Sequence, residues 1–211
     1  SSPGFLFAFM PCFFIVYFSI PYSMRNAWLL IASLTFYSID GGLITAVLLA
    51  SIIFNYSAGL AIANSRNKRL LILWVGIATN LVPLFYYKYW TFLLNSTKDL
   101  TGLQVSALHV VLPAGISFFT FQEISYLVDI YRREISPSRS VINFGMYHAL
   151  FPQLIAGPIV RYVEIEDRIE HRTLSITDVH DGLIRFCLGL GKKSSLLTAW
   201  ALSQTKCSQS R

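Results

Sequence analysis

Charged side chains are scarce in this chain, 13% of 211 residues, where a soluble globular domain carries about 25%. That scarcity excludes an ordinary water-soluble fold. With 54% hydrophobic residues and a mean hydropathy of +0.54, the composition is that of a polytopic membrane protein. Cysteine is nearly absent: Cys12 and Cys187 lie in apolar runs and Cys207 in the tail. No pair has metal-ligand spacing, so neither a disulfide framework nor a metal site is expected. The thiols are expected to be buried and inert. Also missing are a Gly-rich phosphate loop, an HxxE metal pair and a G-x-S-x-G elbow, which removes the common soluble-enzyme patterns. Acidic residues are few, 11 against 17 basic, for a net charge of +6. This excess does not mark a nucleic-acid partner. The basic residues sit in short loops between apolar runs, which is a topology signal.

What is present is a series of such runs: 4–20, 26–39, 43–63, 70–94, 108–131, 141–159 and the start of another at 183–191. The second is short for a span of about 20 residues. The first has no basic leader or small-residue cleavage site, so it is expected to be a span rather than a signal peptide. Pro83 is expected to kink the run 70–94. Tyr86, Tyr87, Tyr89 and Trp90 fit an interfacial aromatic belt. Arg25, then Arg66, Lys68 and Arg69, then Arg132, Arg133 and Arg139 are expected to face the cytoplasm, with Asp40 and 95–107 outside. The next loop carries Arg161, Arg168 and Arg172 and is basic too. The segment 141–159 is therefore expected to enter and leave on one side. The predicted fold is all-α and polytopic, with about five or six crossings plus a re-entrant hairpin.

Two stretches combine apolar character with broken backbone: LPAGISFFTFQEISYLVD, 112–129, and FPQLIAGPIVR, 151–161. Pro113 and Gly115 interrupt the first; Pro152, Gly157 and Pro158 interrupt the second. A proline inside a helix removes a hydrogen bond and clashes one turn back. In hydrocarbon that is tolerated only where protein or a water-filled cavity surrounds it. Polar groups at such depth usually face a bundle interior or a pathway. Gln122, Glu123, Gln153, Arg161 and His148 are thus the candidates for a funnel or substrate path. The competing readings are plain ones. Arg161 can anchor in the headgroups, Gln153 can bond a neighbouring helix, and the aromatic run GISFFTFQ can be packing. Asp129 is expected to pair with Arg132 or Arg133. A histidine suits proton transfer near neutral pH, but His171 and His180 lie in loops and His109 at a segment edge. No residue is assigned a catalytic role, and no metal site.

LPAGISFFTFQEISYLVDIYRREI followed by NFGMYHALFPQLIAGPIVRY resembles the membrane-bound O-acyltransferase family, nearest its bacterial branch of alginate O-acetyltransferases and teichoic-acid D-alanyl transfer proteins. The likeness runs from about Phe5 to Lys193. Glu123 departs from it, since a small residue such as serine is common there. The resemblance implies transfer of an acetyl or other acyl group to a cell-surface or exported polysaccharide. It implies an acyl-CoA or acyl-carrier donor, no bound cofactor, a multi-pass place in the cell (inner or plasma) membrane, and accessory acetylation proteins. It also implies a catalytic histidine in a tryptophan–histidine motif, yet none of Trp28, Trp74, Trp90 or Trp200 precedes a histidine. Residues 1–193 are therefore expected to be the N-terminal part of such a membrane domain, supplying scaffold and funnel wall. Residues 194–211, SSLLTAWALSQTKCSQSR, change character and are expected to be an out-of-frame tail. With suitable codons, one restored nucleotide after Lys193 gives VLIANSLGFIADKVF, which is similar to the family continuation. The competing classes are a transporter or channel, whose broken helices also carry polar groups near the midplane, and an inactive truncated remnant.

Overall fold

Every regular element among the described residues is helical. The computed structural model describes residues 4–42, 44–90, 115–154, 157, 160–172 and 175–209. A π-helical turn, Phe5–Phe9, runs into α1, Met10–Ser19. A 3-10 turn, Tyr22–Met24, precedes α2, Arg25–Gly41. Then come α3, Ile44–Asn64, and α4, Arg69–Leu84, continued by a π-helical turn, Phe85–Tyr89. The later helices are α5, Ile116–Arg132; α6, Val141–Ala149; the single turn α7, Phe151–Leu154; and α8, Tyr162–Glu170. The chain divides into two compact units, Ser1–Ile169 and Glu170–Arg211. The second is built on one helix, α9, Ile176–Gln209.

The apolar runs set these limits. Two helical stretches, Thr45–Asn64 and Arg69–Tyr89, are long and apolar enough to cross a membrane, and Phe7–Ser19 is a shorter apolar helix. Pro83 lies inside α4, and the helical path continues past it. The Phe85 N–H is shared between the carbonyls of Leu81 and Val82, and the helix widens into the π-helical turn. This is how a helix absorbs a missing donor and a displaced carbonyl. The expected break around Pro113 lies outside the described residues, as do His109 and 95–107. From Gly115 onward the segment is unbroken. Gly115 caps α5 at φ 80, and its carbonyl accepts from the N–H groups of Phe118 and Phe119.

In the first unit α3 is central, packed against α2, α4, α5 and α6; α4 also meets α5, and α2 meets α6. Close approach depends on small residues. A Cβ on Gly76 would stand 2.6 Å from Leu127 Cδ1, and one on Gly59 would stand 2.9 Å from Ile130 and Tyr126 side-chain carbons. Small residues at crossings are the usual device of membrane helices, which gain little from the hydrophobic effect among themselves. Large apolar side chains such as Leu71, Trp74, Val75 and Val82 point outward. Cys12 and Cys187 are exposed as well, which corrects the expectation of buried thiols. A helix apolar on all sides gives no sequence clue to which face turns inward.

The interior, by contrast, holds polar groups. Asn55 and Asn80 form a reciprocal amide pair, with N···O distances of 2.8 and 2.7 Å. Asn55 Nδ2 also donates to the Ser51 carbonyl at 3.0 Å. Ser51 Oγ lies 2.7 and 2.6 Å from the two carboxyl oxygens of Glu123, so its one proton serves them in turn. The chain thus joins α3, α4 and α5 through one polar seam.

Three other side chains gather the basic loops at one end of the bundle. Arg69 donates to the carbonyls of Ile62, Ile130 and Tyr131. The Tyr56 hydroxyl donates to the Arg139 carbonyl. Asn26 Nδ2 reaches Asn143 Oδ1 at 3.0 Å and the Ile169 carbonyl at 3.1 Å.

Asn55→Leu or Asn80→Leu alone strands one amide, while the double substitution strands neither. A double-mutant cycle on detergent-solubilised chain, read by denaturant titration, is expected to give a coupling of about 0.6–2 kcal/mol. Strict additivity would show that the pair holds nothing together.

Candidate functional site

The candidate residues lie on α5, α6, α7 and the segment that follows. Gln122 and Glu123 sit in the middle of α5, at 1% and 0% exposure, and His148 is 1% exposed near the end of α6. His148 Nδ1 lies 3.2 Å from the Phe144 carbonyl one turn back, and its Nε2 has no partner. Nε2 of Gln153 is likewise buried without a partner among the described residues, and the Gln122 amide, beside the Tyr147 hydroxyl, makes no well-aligned hydrogen bond there. A buried unpaired polar atom costs about 1–3 kcal/mol. His148 and Gln153, on successive helices, carry that cost here.

The surroundings are aromatic. The His148 ring lies 4.2 Å from that of Phe144 and 4.7 Å from that of Tyr147, centre to centre. Tyr126 and Tyr162 close the cluster, edge to face at 5.3 Å. The Tyr147 hydroxyl donates to the Val160 carbonyl at 2.7 Å, and the Tyr126 hydroxyl accepts from the Ser138 N–H at 3.0 Å. These tyrosines therefore satisfy backbone just before α6 and near the end of the second broken stretch.

Parts of that stretch are tightly held. The Phe151 N–H donates to Ser33 Oγ of α2 at 3.2 Å. The Gly157 N–H donates to the Gln153 carbonyl at 3.0 Å, and a Cβ on Gly157 would stand 2.7 Å from Gln153 Cα. Only glycine fits so close a return. At the depth of Gly115, a Cβ would meet the Leu154 carbonyl at 2.5 Å. Pro158 lies outside the described residues.

Arg161 then fastens the returning chain. Its Nε donates to Asp129 Oδ2 at 3.2 Å, and its Nη2 donates to Asp129 Oδ1 and, at 2.7 Å, to Glu134 Oε2. Asp129 first, then Glu134, pushes the Arg161 pKa further up, so the guanidinium is charged at any physiological pH. This corrects the expected pairing of Asp129 with Arg132 or Arg133. Arg132 pairs instead with Glu134 at 3.3 Å. Arg133 turns the chain in the left-handed region at φ 63, where its N–H and that of Glu134 close the helix on the carbonyls of Ile130 and Asp129. The planar fork of Arg161 matches the carboxylate with two donors.

Glu123 stands apart from the orphaned amides, on the Ser51–Asn55–Asn80 seam. Beside it lies a cavity of about 140 Å³ whose polar lining is Ser51, Thr79, Asn80 and Thr120. The seam residues Ser51, Asn55 and Asn80 were not among the sequence candidates. Their signal was present: Ser51 and Asn55 are one turn apart in a largely apolar run, and Asn80 lies within another. Among the described residues no group of three His, Cys, Asp or Glu side chains could hold a metal ion.

Over most of its length this sequence aligns with named proteins. It is 37% identical over 219 aligned residues to the probable alginate O-acetylase AlgI of Pseudomonas aeruginosa, covering 98% of this chain and 41% of that protein. With the same protein of Azotobacter vinelandii it shares 38% identity over 206 residues, covering 92% and 40%. A peptidoglycan O-acetyltransferase of Helicobacter pylori is 31% identical over 227 residues, covering 92% and 43%. The chain is homologous to O-acetyltransferases. The resemblance carried by its two broken stretches is thereby borne out. It spans about two fifths of the length of these relatives. No family model matches the chain, and no solved structure does.

Arg161→Gln removes the partner of the buried Asp129, whereas Arg139→Gln changes an exposed side chain. The first is expected to lower the detergent Tm by several degrees and the second to leave it within a degree or so. Equal shifts would show that the Asp129–Arg161–Glu134 group does not fasten the returning segment.

Proposed function

We propose that this chain is part of a membrane O-acyltransferase that moves an acetyl or similar acyl group to a hydroxyl of an exported polysaccharide or of peptidoglycan. The observation that carries this is the similarity to named O-acetyltransferases across nearly the whole chain. In the reaction a polymer hydroxyl oxygen attacks the donor's acyl carbonyl, its proton passes to a base, and the donor's thiol leaves. Acyl-CoA or an acyl carrier on the cytoplasmic side is the proposed donor, and the inner membrane the proposed location.

The part played by these residues is scaffold and funnel wall. Gln122, His148 and Gln153 are the proposed lining, because polar atoms on each of them are buried with no well-aligned hydrogen bond among the described residues. Arg161 is assigned a positioning role, since its donors are committed to Asp129 and Glu134. The proposed topology places Arg25 and the loops 65–68 and 133–140 on the cytoplasmic side. Residues 141–159 form a hairpin that enters and returns there. Two contacts support it: Asn143 meets Asn26 where the segment begins, and Arg161 meets Asp129 where it ends. Accessory acetylation proteins, and a tail out of frame from residue 194, belong to the same reading.

The test is to delete the gene and measure ester-linked acetyl on the organism's exported polymers after mild alkaline release. The ester content is expected to fall and to return with the intact gene. With Gln122→Leu and Gln153→Leu together it is expected to stay about tenfold lower at equal protein level, the weight of one lost hydrogen bond to a reacting group. Unchanged ester after deletion would contradict the assignment.

A further inference from the structure

At the end of the bundle that carries the basic loops, two clefts open side by side, of about 860 and 420 Å³. Arg66, Arg69 and Arg133 line both. The carboxylates of the larger cleft are Glu134 and Glu166, and Glu134 already carries Arg161 and Arg132. Arg66 and Arg133 are exposed and form no ion pair among the described residues. Arg69 is oriented by three backbone carbonyls and by the Tyr131 ring, 5.5 Å away. It is a fixed charge between two free ones.

Arg133 adds a second observation. Among the described residues it alone, glycines aside, has a positive φ. The position closes α5, where glycine is the favoured residue because it has no Cβ to strain. A long cation stands there instead, at the mouth of an arginine-lined cleft. Apolar surface continues directly from the smaller cleft. Leu70 lines it, and Leu70 and Trp74, one turn apart on α4, are both exposed. The clefts thus sit where an apolar helix surface meets a basic loop. That is the level of lipid headgroups, and basic pockets at that level suit anionic headgroups.

We propose that Arg66, Arg69 and Arg133 form a binding site for the phosphate of an acidic phospholipid, whose acyl chains lie along Leu70 and Trp74. Adjoining apolar surface favours a lipid over a free phosphate compound, because only a lipid uses both halves of the site. The site serves the fold's attachment to its leaflet and is independent of acyl transfer.

The experiment is lipid binding to the whole chain, purified and delipidated in a neutral detergent. Native mass spectrometry compares phosphatidylglycerol with phosphatidylcholine, and inorganic phosphate and coenzyme A serve as soluble competitors. Phosphatidylglycerol is expected to bind more tightly than phosphatidylcholine. Arg66→Gln and Arg133→Gly are each expected to weaken phosphatidylglycerol about 5-fold, the weight of one arginine at an anionic surface. Arg133→Gly also relieves the backbone, so its lipid-free Tm is expected to hold or rise, which separates lost binding from lost folding. Equal binding of the two lipids, or unchanged affinity in both variants, would overturn the proposal. So would displacement of the lipid by phosphate or coenzyme A at matching concentration, since that would make this a site for soluble anions.

Discussion

A polar group inside an apolar bundle has to find its partner within the protein, and the first unit is arranged around that requirement. The most consequential case is Asp129. It is 2% exposed at the end of α5, and it is held by an arginine 32 residues further along the chain. Because Arg161 reaches back to Asp129 and Glu134, the chain leaving the second broken stretch returns to the level of the basic loops. The Tyr147 hydroxyl on the Val160 carbonyl and the close stacking of Gly157 on Gln153 follow the same course. The apolar helices supply the walls. The ion pair and these few hydrogen bonds fix what runs between them.

Much of this was legible in the sequence. The apolar runs 43–63 and 26–39 correspond to α3 and α2 within one or two residues, since a basic or glycine-rich break marks each end. Gln122, Glu123 and His148 stood out as polar residues in apolar surroundings, and all three are buried. The pairing of Asp129 was not legible. Arg132 and Arg133 are its neighbours in sequence, and nothing local reveals that the left-handed turn at Arg133 carries them away or that Arg161 returns. The seam from Glu123 through Ser51 to Asn55 and Asn80 was missed for a related reason. Small polar residues are common in membrane helices, and only the packing of α3, α4 and α5 shows that these face one another.

The two polar groupings divide the work. The Asn55–Asn80 pair and the Asp129–Arg161–Glu134 group have their partners and hold the helices in place. Gln122, Gln153 and His148 carry buried polar atoms with no well-aligned hydrogen bond among the described residues, at a cost that packing elsewhere must offset. The division is not complete, since the candidates Glu123 and Arg161 have partners, while Arg25 Nε and Thr45 Oγ1 are also buried without one among the described residues.

The central claim is that the proposed re-entrant segment, 141–159, enters and leaves the membrane on one side. Single cysteines at Ser136 and Arg168, both exposed and on either side of that segment, test it most directly. In intact cells of a cysteine-free background, a membrane-impermeant maleimide is predicted to label neither. After permeabilisation it is predicted to label both. Labelling of one from outside and the other only from within would make 141–159 an ordinary crossing and contradict the account.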